Sequence, residues 1–439
     1  MRSAPWKSRT SALGIVMAVA LVAAACSSTN SSSTTTTAAG GSGGGSTSHI
    51  PSSAFSDHTG VTATQVRVGN ISTLAIGGLF KGALVGTEAY AAYVNSTGGI
   101  HGRKIVVDSG DDGFTGEGNK QATQNAINTD FSLVGGFSLQ DSYGGTLLAA
   151  DPGVPNVSVV LDIPTTKLPN VYSAVPLLGG WEEGPLQYFK KKFPNDVNAV
   201  GTVVSDQSSA QVDWTGEKYV MEKVGYKVVY DPSVPVTQTD YTQNVIAMKN
   251  AGVKILFLDQ LPENYASAMF KNLQQQNFHP QVIIGSASYS NNLVADSGGP
   301  SAVDGARVDQ NTSFFLGQDY PAIPSVGLFN RWVQQTSPGF KTDLFTLYGW
   351  LSAELFSQAL RNAGSDPSRG SLLQALSKIT SFSGNNIIAP NNPAAKTVGN
   401  CYLLGQIVNG QYQRVDDPPI SSATNGYRCD YSYVTPPGS

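Results

Sequence analysis

Histidine is scarce in this 439-residue chain, and its four copies, His49, His58, His101 and His279, are scattered. None stands at ligand spacing from a cysteine or a carboxylate, so no metal centre is expected. Charge is scarce too: 13% of residues are Asp, Glu, Lys or Arg, and 27 basic side chains face 31 acidic ones. No basic run occurs, which argues against a nucleic-acid partner. Long apolar runs are missing. The stretch from Ala12 to Ala25 is shorter than the roughly 20 residues a bilayer span needs, and no later segment is long and apolar enough. Catalytic signatures are missing as well. Ser138 and Ser158 lack a Gly-x-Ser-x-Gly setting, there is no P-loop, and no Gly-x-Gly-x-x-Gly occupies a strand-to-helix turn. Asp111-Asp112 is a carboxylate pair, but adjacent residues on a turn point apart, and capping is the simpler reading. The chain is therefore not expected to be an enzyme or to carry a cofactor.

Cysteine occurs three times, and the first copy is the most informative residue in the chain. Arg2, Lys7 and Arg9 precede a short apolar run that ends Leu21-Val22-Ala23-Ala24-Ala25-Cys26. A basic start, an apolar core and small residues before a cut form an export signal. A cysteine at the cut resembles the lipobox of bacterial lipoproteins, which implies acylation of Cys26 and a chain held by lipid on the extracytoplasmic face of the bacterial cell membrane. Loss of the leader, residues 1–25, moves the formal charge from −4 to −7 by removing Arg2, Lys7 and Arg9. Cys401 and Cys429, the two remaining cysteines, read as one disulfide in an oxidising compartment.

Residues 26–58 are mostly Ser, Thr, Gly and Ala with almost no charge, the composition of a flexible tether. From Thr64 the pattern turns to strands alternating with helices. Strands are expected at 65–71, 104–108 and 131–135, with helices at 83–95 and 116–128 between them. A second round follows, with strands at 197–204, 226–230, 254–258 and 281–284 and helices at 186–193, 211–224, 241–250 and 264–276. Helices at 325–335, 344–363 and 371–378 precede a hairpin, 402–408 and 411–415, turned at Asn409-Gly410. The pattern predicts an α/β fold of two doubly wound parallel-sheet lobes, with ligand sites outside the C-terminal strand ends.

The run Asn95-Ser96-Thr97-Gly98-Gly99-Ile100-His101-Gly102-Arg103-Lys104, followed by a strand and Asp111-Asp112, resembles the leucine/isoleucine/valine-binding family of ABC importers. Supporting matches are Met248-Lys249-Asn250-Ala251-Gly252 and Ala359-Leu360-Arg361-Asn362-Ala363-Gly364. The resemblance spans roughly Thr64 to Val415. It implies a type 1 periplasmic binding protein fold with a multi-crossover hinge. The expected lobes are residues 64–178 plus 311–395, and 179–310 plus 396–435. It implies a monomer that closes on a small-molecule solute, polar or amino-acid-like, and docks onto an ABC permease. A ligand sensor or a cell-wall scaffold on the same fold is the alternative.

By the same resemblance the cleft is lined by Leu79 and Phe80 after the first strand and by Ser138, Leu139 and Gln140 after the third. Leu161 and Asp162 follow the fourth, and Gln207, Gln260 and Ala287 come from the second lobe. Trp350 faces the cleft or packs under its helix. Amino-acid binders of the family hold the ligand carboxylate with hydroxyls and backbone N–H groups, and its ammonium with an acid. Leu161-Asp162 and Ala287 depart from that pattern, which puts an ordinary α-amino acid in doubt.

Overall fold

The computed structural model describes residues 50–437 apart from 178 and 260. The leader, Cys26, most of the tether and Gln260 lie outside the described residues. The end of the expected tether needs correction, because residues 50–58 belong to the folded body. Ser52–Ser56 form a 3-10 turn with Ala54 buried, and Asp57 makes a 2.9 Å ion pair with the buried Arg369. Arg369 also donates to the backbone carbonyls of Ile127, Asp130 and Phe131, which bolts this segment to the first lobe.

The first sheet is parallel throughout. It contains β1 (Gln65–Ser72), β2 (Lys104–Asp111), β3 (Ser132–Val134), β4 (Asn156–Val157) and β5 (Val171–Tyr172), in the order β2-β1-β3-β4-β5. From Val68 onward β1 is almost continuously buried, as expected where helices cover both faces of a parallel sheet. On one side, helix Lys81–Ser96 lies against helix Leu344–Asn362. Two glycines make that contact possible. A Cβ at Gly86 would stand 1.9 Å from the Thr346 carbonyl oxygen, and one at Gly349 would stand 2.0 Å from that of Ala83. The 344–362 helix begins with a capping box between Asp343 and Thr346, which fixes where its first turn points.

After β5 the chain makes β6 (Trp181–Glu182) and enters the second lobe. There β7 (Val200–Gly201), β8 (Val204–Ser205), β9 (Val228–Tyr230), β10 (Ser233–Val234), β11 (Ile255–Phe257), β12 (Gln281–Ile284) and β13 (Arg307–Gln310) alternate with helices. The chain returns after β13 to lay the 344–362 helix on the first lobe. It then crosses back for the hairpin β14 (Leu403–Val408) and β15 (Gln411–Arg414). The second sheet runs β15-β14-β13-β12-β11-β7-β9, parallel except at β14, which pairs antiparallel with both β13 and β15. Asn409 and Gly410 both have positive φ, 52° and 71°, as a tight hairpin turn requires. The single strand expected at 197–204 is broken. Thr202 and Val203 separate β7 from β8, which leaves the sheet to pair with β10.

The last strand, β16 (Tyr433–Val434), pairs antiparallel with β6 at the crossing between the lobes. The tail leading to it is held by the Cys401–Cys429 disulfide and by paired backbone bonds between Tyr402 and Arg428, each 2.9 Å. Among the described residues no helix is long and apolar enough to cross a membrane.

Candidate functional site

A cavity of about 260 Å³ lies between the lobes, bordered by the C-terminal strand ends of both sheets. The loop after β1 contributes Leu79 and Phe80, that after β3 Phe137 and Leu139, and that after β4 Leu161 and Ile163. Leu344, Phe345 and Tyr348 enter from the first turns of the 344–362 helix. Phe80 stands edge-on to Phe137 and Phe345 at 4.8 and 4.6 Å, so three rings form one wall. The first-lobe side is therefore apolar.

The second lobe supplies polar groups. Asp213 comes from helix Ser208–Val224, Asp259 follows β11, Ser286 and Ala287 follow β12, and Asp309 and Gln310 end β13. Glu182 on β6, with Tyr402 and Tyr433, closes the crossing. Gly285 makes room for Asp259, since a Cβ there would stand 2.7 Å from Oδ1. Burial, then the nearby Glu217, pushes the Asp259 carboxyl well above the ordinary carboxylate range. Burial and Asp259 do the same to Asp309. Burial pushes Glu182 up to about 7, with neighbouring Asp213 acting in the same direction.

Of the residues expected in the cleft, Leu79, Phe80, Leu139, Leu161 and Ala287 border the cavity. Ser138 does not. Its hydroxyl donates to the buried Asp112 and accepts from Asn119 Nδ2 at 3.2 Å and Gln140 N at 2.9 Å. Asp112 also accepts from Thr73 Oγ1 and Phe114 N, and Asp111 from Leu74 N and Gly113 N. The paired aspartates thus shape loops. Asp162 caps the short helix Ile163–Thr166, accepting from Thr165 N at 3.0 Å and Oγ1 at 2.6 Å. Asp141 accepts from Leu161 N at 2.6 Å and Asp162 N at 3.4 Å, which occupies the backbone donors after β4. Trp350 is 1% exposed and packs with Tyr90, Tyr93 and Phe329, under its helix and away from the cavity.

Gln140 and Gln207 meet each other instead of the cavity. Gln140 Nε2 donates to Gln207 Oε1 at 3.3 Å, a bond that spans from first lobe to second. The sequence reading missed Asp259, Asp309, Gln310, Glu182, Phe345 and Tyr402. Asp259 had a visible signal: it ends the apolar run Ile255-Leu256-Phe257-Leu258, where a buried strand delivers its next side chain to a ligand site.

The family model for periplasmic binding proteins matches residues 65–411. The chain belongs to that family. The binding protein is 26% identical over 286 residues to the Leu/Ile/Val-binding protein homolog 1 of Brucella melitensis, covering 64% of this chain and 73% of the relative. Solved structures share its fold. The fatty acid ABC transporter substrate-binding protein from Thermomonospora curvata superposes with a TM-score of 0.69 at 16% identity, over 87% of this chain and 95% of that one. A branched chain amino acid ABC transporter from Thermus thermophilus with bound valine gives 0.69 at 14% identity, over 83% and 98%. The fold is that of type 1 periplasmic binding proteins, and the family is one of solute-binding proteins rather than enzymes.

Proposed function

We propose that the protein is an extracytoplasmic, lipid-anchored solute-binding protein that captures a small molecule between its lobes and delivers it to an ABC importer. The observation that carries this reading is the cavity itself. It sits at the strand ends of both sheets, where open α/β sheets hold ligands, and the chain crosses beside it. The lobes are residues 64–178 plus 311–395 and 179–310 plus 396–435, with residues 50–58 added to the first. Closure by hinge motion about β6 and β16 brings the aromatic wall of one lobe over the carboxyl groups of the other. The Gln140–Gln207 bond spans the same gap and acts as a latch of the closed form. Acylation at Cys26 ties the leader-processed chain to the membrane.

A thermal-shift screen of the purified protein against amines, amino acids, sugars, polyols and carboxylic acids tests the binding role. A ligand of the native state at a hundredfold excess over its Kd raises stability by about 2.7 kcal/mol. Ala287→Trp fills the cavity and removes the shift. A shift that survives Ala287→Trp refutes the cleft as the site. Incorporation of labelled palmitate into the wild type but not into Cys26→Ala tests the anchor.

A further inference from the structure

The acids around the cavity bond to one another. Glu182, Asp213, Asp259 and Asp309 reach it, and none of the described residues that line it is Lys, Arg or His. The Asp259 side chain bonds to Asp309 and to Glu217, which is 1% exposed and stands behind it on the 208–224 helix. A bond between two carboxyl groups needs a proton between them, and burial with mutual repulsion keeps that proton in place. These acids are therefore satisfied among themselves. Two other lining side chains are not. Ser209 Oγ, on the first turn of the 208–224 helix, and both amide atoms of Gln310 are sealed from water and make no hydrogen bond. Buried polar groups are normally satisfied, so unsatisfied ones beside one cavity mark where a ligand supplies the partners.

The Ser209 hydroxyl both donates and accepts, so it suits many ligands. Gln310 is more selective. It is 5% exposed, and one edge of its side chain carries an N–H donor and a carbonyl acceptor side by side. A carboxylate opposite that edge accepts from Nε2 but sets a lone pair against Oε1. An ammonium donates to Oε1 but sets a donor against Nε2. A primary carboxamide or a lactam carries its own carbonyl and N–H on one edge, at the same separation as in glutamine, so the two edges close with two hydrogen bonds. Turning the Gln310 amide over exchanges its oxygen and nitrogen, and a ligand amide turned over fits it equally well. The opposite wall, chiefly Phe80, Phe137 and Phe345, offers apolar surface to the rest of the ligand.

We infer that the cleft takes an uncharged primary carboxamide or lactam with an apolar body. Its amide edge pairs with the Gln310 amide, and its hydrocarbon or aromatic part lies along the Phe80, Phe137 and Phe345 wall. The inference rests on the cleft being the ligand site. Neutrality suits both walls. An anion meets no cationic side chain among the described lining residues, and a cation has to displace protons that already join the acids. Closure takes Gln310 further from water, where an amide atom without a partner is costly. The site therefore selects the ligand that pairs both atoms over analogues that pair one.

Four probes on one skeleton test it by calorimetry on the full chain at neutral pH: 3-phenylpropanamide, methyl 3-phenylpropanoate, 3-phenylpropanoate and 3-phenylpropylamine. The ester keeps the carbonyl and lacks the N–H. The amide binds at least about tenfold more tightly than each of the other three, since each leaves a buried amide atom of Gln310 unpaired. Gln310→Met keeps the length of the side chain and removes both polar atoms. It weakens the amide about tenfold or more and brings it within about twofold of the ester, whereas a variant that merely loosens the site weakens both alike. The ranking in the wild type needs no variant, which keeps the test intact if Gln310→Met folds poorly. Absence of amide binding, any other probe bound as tightly as the amide, or equal loss of amide and ester in Gln310→Met overturns the inference. Probe binding that Ala287→Trp abolishes, without preference for the amide, overturns the amide alone. Probe binding unaffected by Ala287→Trp overturns the cleft reading itself.

Discussion

Removal of the Cys401–Cys429 disulfide is the perturbation whose size follows most directly from the structure. The bond closes a loop with a sequence separation of 28. Chain entropy for a loop of that length gives about 3.5 kcal/mol at 25 °C, acting on the unfolded state. The native tail keeps other ties. Tyr402 and Arg428 exchange backbone bonds, Tyr427 Oη donates to the Ile387 carbonyl at 2.9 Å, and Arg428 Nε reaches Asp417 at 3.2 Å. The folded geometry should therefore survive the cut, and the entropic figure applies nearly undiminished. Spread over roughly 390 folding residues at about 2.1 cal/mol/K each, the loss lowers Tm by about 4 °C. If the second lobe unfolds alone, the same loss falls on fewer residues and the drop is about double. The assay is calorimetric unfolding of Cys401→Ser/Cys429→Ser beside the wild type, with and without reductant. The double variant should match the reduced wild type. A Tm within about 1 °C of the oxidised wild type would refute the reasoning, because it would mean that the reduced unfolded chain is already as constrained as the oxidised one.

Trp350→Ala should cost about 3–5 kcal/mol, because it empties a site packed by Tyr90, Tyr93 and Phe329. Ligand affinity of the folded fraction should stay unchanged, whereas Phe80→Ala should weaken it; calorimetry at low temperature separates the two. Burial pushes Asp141, Glu182, Glu263 and Glu354 up to about 7. Each then binds its proton more tightly folded than unfolded, so its stabilising effect is complete below about pH 4 and is lost as pH rises through about 7. Tm at constant ionic strength should be higher at pH 5 than at pH 8, and the reverse order would contradict the burial of these acids. Gln140→Ala removes the bond to Gln207 across the lobes and should shift the unliganded protein toward the open form by about 0.5–1.5 kcal/mol, read as a larger radius in small-angle scattering.

The fold was largely legible because its signals are local. Gly98-Gly99 after an apolar-faced helix, the alternation in 65–71 and Asn409-Gly410 between two strands each dictate a backbone shape with no help from distant residues. Where a local signal was diluted, the reading slipped. Ile50, Ala54 and Phe55 sit among serines, and the partners that anchor this stretch, Arg369 to Asp57 and the Pro367 carbonyl to His58, lie far along the chain. The strand expected at 197–204 is one apolar run in sequence, yet its second half pairs with β10 instead of following β7.

The cleft was legible in its loops and not in its chemistry, and Asp259 shows why. Along the chain it is a single acid after an apolar strand, a signal for its place at a strand end and not for its neighbours. In the fold, β13 brings Asp309 and Gln310 beside it, the 208–224 helix brings Glu217, and Gly285 on β12 leaves space for its carboxyl. Those neighbours come from different strands and helices, and the only acids of the group that share a short window of sequence are Asp213 and Glu217, one turn apart on the 208–224 helix. The apolar side has the same origin, since Phe80, Phe137 and Phe345 meet only where three separate segments converge. Local patterning decides which loops reach a cleft. The chemistry of the wall is decided by which side chains the sheet order makes neighbours, and the order β13-β12-β11 is what turns two scattered aspartates into one acidic wall.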